Sequence, residues 1–304
     1  MMNRASSVTE DSKRGYLFGI AAYGLWGVLP IYFKAVAAVP AFDIVAHRIL
    51  WSLPFLALLL GLTRNWATVR SAIRDRKTMR LLTVTAVLIA LNWLLYVYAV
   101  NSGRILAGSL GYYLNPLANV LLGRLVLKER LDRLQWVAVL IAAVGIAPLA
   151  LQSADQLWIS LTLCFSFATY GLLRKIATVD AVAGLTVETA LLLPFTIGWL
   201  AWEFARGGIP FGSTGTETSL LLLAGVISTT PLLLFTGAAR RLPYSTLGML
   251  QFLAPSMQFL LAVGLYGEAF TPLHAVAFGA IWSALLLYVI AIVRSSRSSV
   301  TLPE

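Results

Sequence analysis

The stretch LGYYLNPLANVLLGRLVLKE at 110–129 has a counterpart in LGMLQFLAPSMQFLLAVGLYGE at 247–268. Pro116 is followed thirteen residues later by Glu129, and Pro255 thirteen residues later by Glu268. A shift of 139 residues superimposes both pairs. The same shift aligns Leu95, Ala99, Leu134, Val137 and Ala138 with Leu234, Ala238, Leu273, Val276 and Ala277. Those residue types are abundant here and add little weight. A shift of 140 brings Arg48 and Pro54 onto Glu188 and Pro194. The chain reads as one pattern written twice, which in a membrane protein points towards transport.

Composition supplies the membrane. Of 304 residues, 59% are hydrophobic and 12% are charged, against about 25% charged in soluble domains. Mean hydropathy is +0.82. The net charge of +10 does not gather into one stripe, so no nucleic-acid partner is expected; the basic residues sit between apolar runs and report orientation. Cys164 is the single cysteine and lies inside an apolar run, which leaves no disulfide framework, metal cluster or cofactor to expect. The polar start MMNRASSVTEDSKRG lacks the pattern of a cleaved signal, so the first apolar segment is expected to stay in the bilayer.

A span needs about 20 mostly apolar residues. Ten segments qualify: 16–37, 44–62, 80–101, 105–127, 134–151, 157–177, 184–204, 219–239, 244–266 and 273–293. The longest connections are 63–79 and 205–218, the second read as a flexible external loop. With a cytoplasmic N-terminus, 18 of the 23 lysines and arginines fall on inner segments and two, Arg104 and Arg206, on outer loops. Both termini are therefore expected in the cytoplasm. Five spans per half is an odd number, so the two copies must run in opposite directions. The expected fold is an all-α polytopic membrane protein, with ten transmembrane helices as two inverted five-helix repeats. The repeats are placed at 16–151 and 152–293, between cytoplasmic tails at 1–15 and 294–304.

No aspartate lies deep in a predicted span. Lys34, His47, Arg48, Arg124 and Glu188 fall near span ends, where anchoring competes with a functional role. His47, Arg48 and Glu188 are kept as gate or helix-end candidates, since Arg48 and Glu188 match between repeats. Topology puts Glu129 and Glu268 at opposite membrane faces, which suits two gates rather than two catalytic carboxylates. At mid-membrane depth the polar groups are neutral, among them Tyr23, Trp26, Asn92, Tyr112, Tyr113, Asn119, Ser166, Tyr170, Thr230, Gln251 and Gln258. Such groups either hydrogen-bond helix to helix or line a cavity for a neutral or zwitterionic solute. Pro30, Pro116, Pro231 and Pro255 fall inside spans and are the candidate hinges.

Together these stretches carry a resemblance. YGLWGVLPIYFK at 23–34, AHRILWS at 46–52, NWLLYVYAVN at 92–101, SLGYYLNPL at 109–117, SFATYGLLRK at 166–175, TTPLLLF at 229–235 and STLGMLQF at 245–252 are similar to the RarD-like proteins. These belong to the EamA group of the drug/metabolite transporter superfamily. The resemblance runs from Gly15 to Arg294. It implies ten helices in two inverted repeats and movement of small metabolites across the inner membrane, with amino acids and some drugs as substrates of relatives. It also implies a central cavity lined by Tyr23, Trp26, Asn92, Tyr112, Tyr113, Ser166, Tyr170, Thr230 and Gln251.

The expected function is a carrier or exporter of small amphipathic metabolites, amino acids first, working as a monomer in the lipid bilayer. Drug efflux is the alternative. An intramembrane enzyme would need a nucleophile beside a base, and Ser109, His47 and His274 are scattered in sequence. A receptor or scaffold would need neither inverted repeats nor neutral polar clusters in mid-membrane.

Overall fold

A bilayer offers no water to backbone groups, so a chain this apolar satisfies them within helices. The computed structural model describes residues 2–102, 104–152, 154–208, 211–267 and 270–298, with no strand among them. Glu268 lies outside the described residues. The helices are α1 Met2–Ala35, α2 Ala41–Thr63, α3 Trp66–Arg74, α4 Arg76–Asn101, α5 Ile105–Leu125 and α6 Arg133–Gln152. They continue with α7 Leu157–Ile176, α8 Ala181–Ala205, α9 Gly215–Ala239, α10 Tyr244–Gln251, α11 Leu253–Gly264 and α12 Pro272–Ser298. Nine stretches among the described residues are long and apolar enough to cross a membrane, α10 and α11 counting as one. The remaining predicted span is α5, which carries Tyr112, Tyr113, Asn115 and Asn119 near its middle. The chain is an all-α polytopic membrane protein.

The doubling shows in where helices begin. α4 and α9 start at Arg76 and Gly215, α5 and α10 at Ile105 and Tyr244, α6 and α12 at Arg133 and Pro272, each pair 139 residues apart. α2 and α8 start at Ala41 and Ala181, 140 apart, and both carry a proline at their fourteenth position. The packing follows the same exchange. α5 against α7 is matched by α1 against α10 and α11, α1 against α9 by α4 against α7, and α2 against α9 by α4 against α8. Three pairings map onto themselves: α2 with α8, α5 with α10, and α6 with α12.

Three local features depart from the sequence reading. The connection 63–79 contains α3, whose Ala72 and Val69 pack against Leu82, Val179, Ala183 and Val187 while Arg70 and Arg74 face outward. That pattern is amphipathic but too short for a span. The predicted span 244–266 is two helices turned at Phe252. Pro255 has no N–H for the Gln251 carbonyl, and the ladder tightens just before it. In the 205–218 connection Phe211 is tucked against His47 and Trp51, and Thr214 with Glu217 closes a capping box on α9.

Bundles in lipid close on small residues. At Gly225 a Cβ would collide with the backbone of Trp51 and Ser52, so α2 and α9 touch main chain to main chain. Gly198 faces open space. Gly225→Ala is expected to destabilise the protein by about 2 kcal/mol or more through overpacking, while Gly198→Ala stays near wild type. Thermal unfolding of the two variants in detergent checks the contrast.

Candidate functional site

A cavity of about 160 Å³ lies between the halves. Its walls come from α1 (Tyr23, Trp26, Leu29, Phe33), α2 (Val45, Arg48), α4 (Asn92, Trp93, Tyr96) and α5 (Ser109, Tyr112, Tyr113). Phe167 of α7, Leu232 of α9, Gln251 of α10, and Ala254, Pro255 and Gln258 of α11 complete it. α1 and α4 contribute from their C-terminal halves, α2 and α5 from their N-terminal halves. The cavity therefore sits towards one end of the bundle, away from the end that holds Lys175, Arg240 and Glu129.

Several polar lining groups are held by neighbours. The Tyr23 hydroxyl donates to the Leu247 carbonyl at 3.2 Å. Asn92 donates to the Leu163 carbonyl at 2.9 Å and to Ser166 Oγ at 3.0 Å, and accepts from the Tyr112 hydroxyl at 3.2 Å. Asn119 Nδ2 donates to Gln251 Oε1 at 2.8 Å, and Gln258 donates to the Trp26 carbonyl at 2.9 Å. Trp26, Phe167 and Phe235 stack edge and tilt around Tyr23 to make an aromatic floor. Arg48 is the charged residue of this lining. Its Nε donates to Ser228 Oγ at 2.6 Å, and its guanidinium lies 4.8 Å from the Trp93 ring centre.

The other end is packed shut. Lys128 takes a left-handed turn at φ 56°, and Glu129 swings across to α10. There it accepts from the N–H groups of Tyr244 and Ser245 and from Ser245 Oγ. Pro243, at the N-cap of α10, has no side-chain oxygen to offer, so Glu129 caps that helix from the opposite half and meets its dipole. Lys175 donates to the carbonyls of Ala239 and Leu242. The Tyr244 hydroxyl donates to the Ala168 carbonyl at 2.6 Å. Deeper, Arg174 and Glu188 pair at 3.5 Å with both side chains sealed from solvent. Thr85 and Tyr170 donate to the Glu188 carboxylate, and Arg174 Nη2 reaches the Ala181 carbonyl at 3.2 Å. The guanidinium lies on Gly184, where a Cβ would displace it. Outside the spans, Asp75 caps α4 through Lys77 and Thr78, and the Thr78 hydrogen bonds hold its carboxyl below the usual range.

Of the nine residues expected in the cavity, Tyr23, Trp26, Asn92, Tyr112, Tyr113 and Gln251 line it. Ser166 stands behind Asn92, and Tyr170 lies deeper, at Glu188. Thr230 turns away and donates to its own helix at Val226; its neighbours Ser228 and Thr229 face α2 instead, Thr229 donating to Ser52 Oγ at 2.6 Å. His47 is buried and accepts from Trp51. Arg48, expected at a helix end, stands two turns inside α2, because that helix begins at Ala41 rather than 44. Pro30, Pro116 and Pro231 lie within continuous helices, and Pro255 follows the α10–α11 turn. Trp93, Tyr96, Ser109 and Gln258 are lining residues the sequence reading left out of its set. Tyr96, Ser109 and Gln258 stand four, three and seven residues from Asn92, Tyr112 and Gln251, the spacing of one helix face, whereas Trp93 adjoins Asn92 and carries no such signal.

A multi-span bundle with a cavity walled by both of two similarly packed halves fits the architecture of a membrane transporter. The EamA-like transporter family matches residues 13–151. An uncharacterized transporter of Vibrio cholerae is 46% identical over 280 residues, covering 92% of this chain and 93% of the relative. Protein RarD of Salmonella typhi is 42% identical over 296 residues, covering 95% and 98%. A solved crystal structure with 19% identity superimposes with a TM-score of 0.71, covering 91% of this chain and 97% of that one, and so shares the fold. The chain belongs to the RarD-like group of EamA transporters in the drug/metabolite transporter superfamily.

Breaking a buried ion pair strands a charge and costs about 3–5 kcal/mol, while replacing both partners with apolar groups is far milder. Arg174→Met alone is expected to lower thermal stability in detergent sharply. Arg174→Met with Glu188→Leu is expected to recover much of the loss.

Proposed function

We propose that the protein is a secondary carrier for small amphipathic metabolites, amino acids first, working by alternating access. The observation that carries this reading is the one-sided cavity. Helices of both halves wall it, it sits in one half of the bundle, and the other half is closed by Glu129, Lys175 and the Arg174–Glu188 pair. The two repeats, taken as 16–151 and 152–293, rock about the cavity so that opening one end closes the other. In this reading the protein lies in the inner membrane, and lysine and arginine placement favours cytoplasmic termini. The packed end then faces the cytoplasm, and this conformation faces outward.

An aromatic floor suits an apolar group, and the amide and hydroxyl groups above it suit a polar head. The cavity compares with the roughly 150 Å³ known to admit a benzene-sized solute, so the substrate is a single small molecule. In this reading a monomer is the working unit. The reading involves no cofactor, metal or enzymatic step; the family supports transport.

Uptake into proteoliposomes is the test. Labelled amino acids are expected to enter above empty-vesicle controls, and no uptake across a broad panel would sink the amino-acid version. Tyr112→Ala and Gln251→Ala are each expected to slow initial uptake about tenfold, the loss of one good polar contact, with expression largely kept. Unchanged flux in both variants would make these residues packing elements.

A further inference from the structure

The two halves differ in charge at one matched position. α2 and α8 start 140 residues apart, and that shift lays Arg48 on Glu188 and Lys34 on Arg174. In the second half the matched residues are opposite in sign and pair with each other, sealed from solvent. In the first half both are cations. Lys34 sits with its ammonium 3.7 Å from the Tyr266 ring centre. Arg48, half-buried, gives one N–H to Ser228 and lies over Trp93. Among the described residues no carboxylate pairs with it and no other hydrogen bond holds its two Nη groups, and Arg48 is part of the cavity wall.

Guanidinium does not give up its proton. A partly buried one without a counter-charge is costly, and the cost is relieved by an anion in reach. Its planar fork matches a carboxylate through two parallel hydrogen bonds. Among the described residues the lining holds no acidic side chain that could pair with an ammonium.

We propose that the cavity takes small amphipathic monocarboxylates. The carboxylate is bound by Arg48 and the apolar group lies among Tyr23, Trp26 and Phe167, with an α-amino group tolerated rather than required. The proposal rests on the cavity being the transport site, and it narrows the substrate class within that reading. The recognised feature is the acid. The same bound carboxylate supplies, beside Arg48, the negative charge that Glu188 supplies beside Arg174.

The test uses the full-length protein in detergent, with quenching of intrinsic tryptophan fluorescence reporting binding beside Trp26 and Trp93. The probes are 3-phenylpropionate, phenylalanine, phenylalaninamide and 2-phenylethylamine. The two acids are expected to bind comparably, and the amide and amine at least about tenfold more weakly, the loss of a charge-assisted contact. Arg48→Gln is expected to abolish the preference for acid over amide, and Arg48→Lys to restore part of it. Amide binding as tight as acid in the wild type, no acid binding at all, or an unchanged preference in Arg48→Gln would overturn the proposal. The wild-type comparison needs no variant to fold. Counterflow of the same four compounds in proteoliposomes separates the two readings. Acids that bind but do not move leave carboxylate recognition standing and overturn transport through this cavity. Compounds that move without acid preference do the reverse.

Discussion

Arg174 and Glu188 hold each other where the bilayer and the packed helices leave neither charge another choice. Much of the closed end is arranged around that pair. Gly184 makes room for the guanidinium, Thr85 and Tyr170 complete the carboxylate, and α4, α7 and α8 are tied together through them. Tyr170 stacks on Phe235, and Phe235 meets Tyr23 and Trp26. The floor of the cavity is thus continuous with the ion pair beneath it. Glu129 adds a second tie between halves by capping a helix whose own N-cap is a proline.

Much of this was legible in the sequence because it depends on period and sign. Apolar length set the spans, the paired prolines and glutamates exposed the doubling, and basic residues clustered on alternate connections. Helix starts then fall at nearly constant offsets in the two halves. Azimuth was less legible. One residue along a helix turns a side chain by roughly 100°, so a polar run at 228–230 does not say which member faces inward. Thr230 was read as lining, and Ser228 and Thr229 face α2. Depth was the other gap. Apolar length alone begins the second span at 44 and puts Arg48 near its end, whereas α2 begins at Ala41 and Arg48 stands on the cavity wall. The α10–α11 turn depends on a missing N–H at Pro255, and its effect on the helix emerges only once the carbonyl it abandons is located.

The matched positions Arg48 and Glu188 show how an inverted duplication can diverge usefully. The two halves share the order of their helices and most of their crossings. Under the carboxylate proposal, the difference of sign at one position lets one end satisfy itself and leaves the other to be met by the solute. Symmetry of backbone and asymmetry of charge are separable in this fold.

Glu129's reach across to α10 has a bearing on timing. A carrier that seals one side with its own side chains has a preferred resting posture, so its empty form waits facing the other side. Half-saturation then differs between the two faces, because on one of them the solute must first bear the work of parting Glu129 from its helix. What such a latch sets is which compartment's concentration governs the speed.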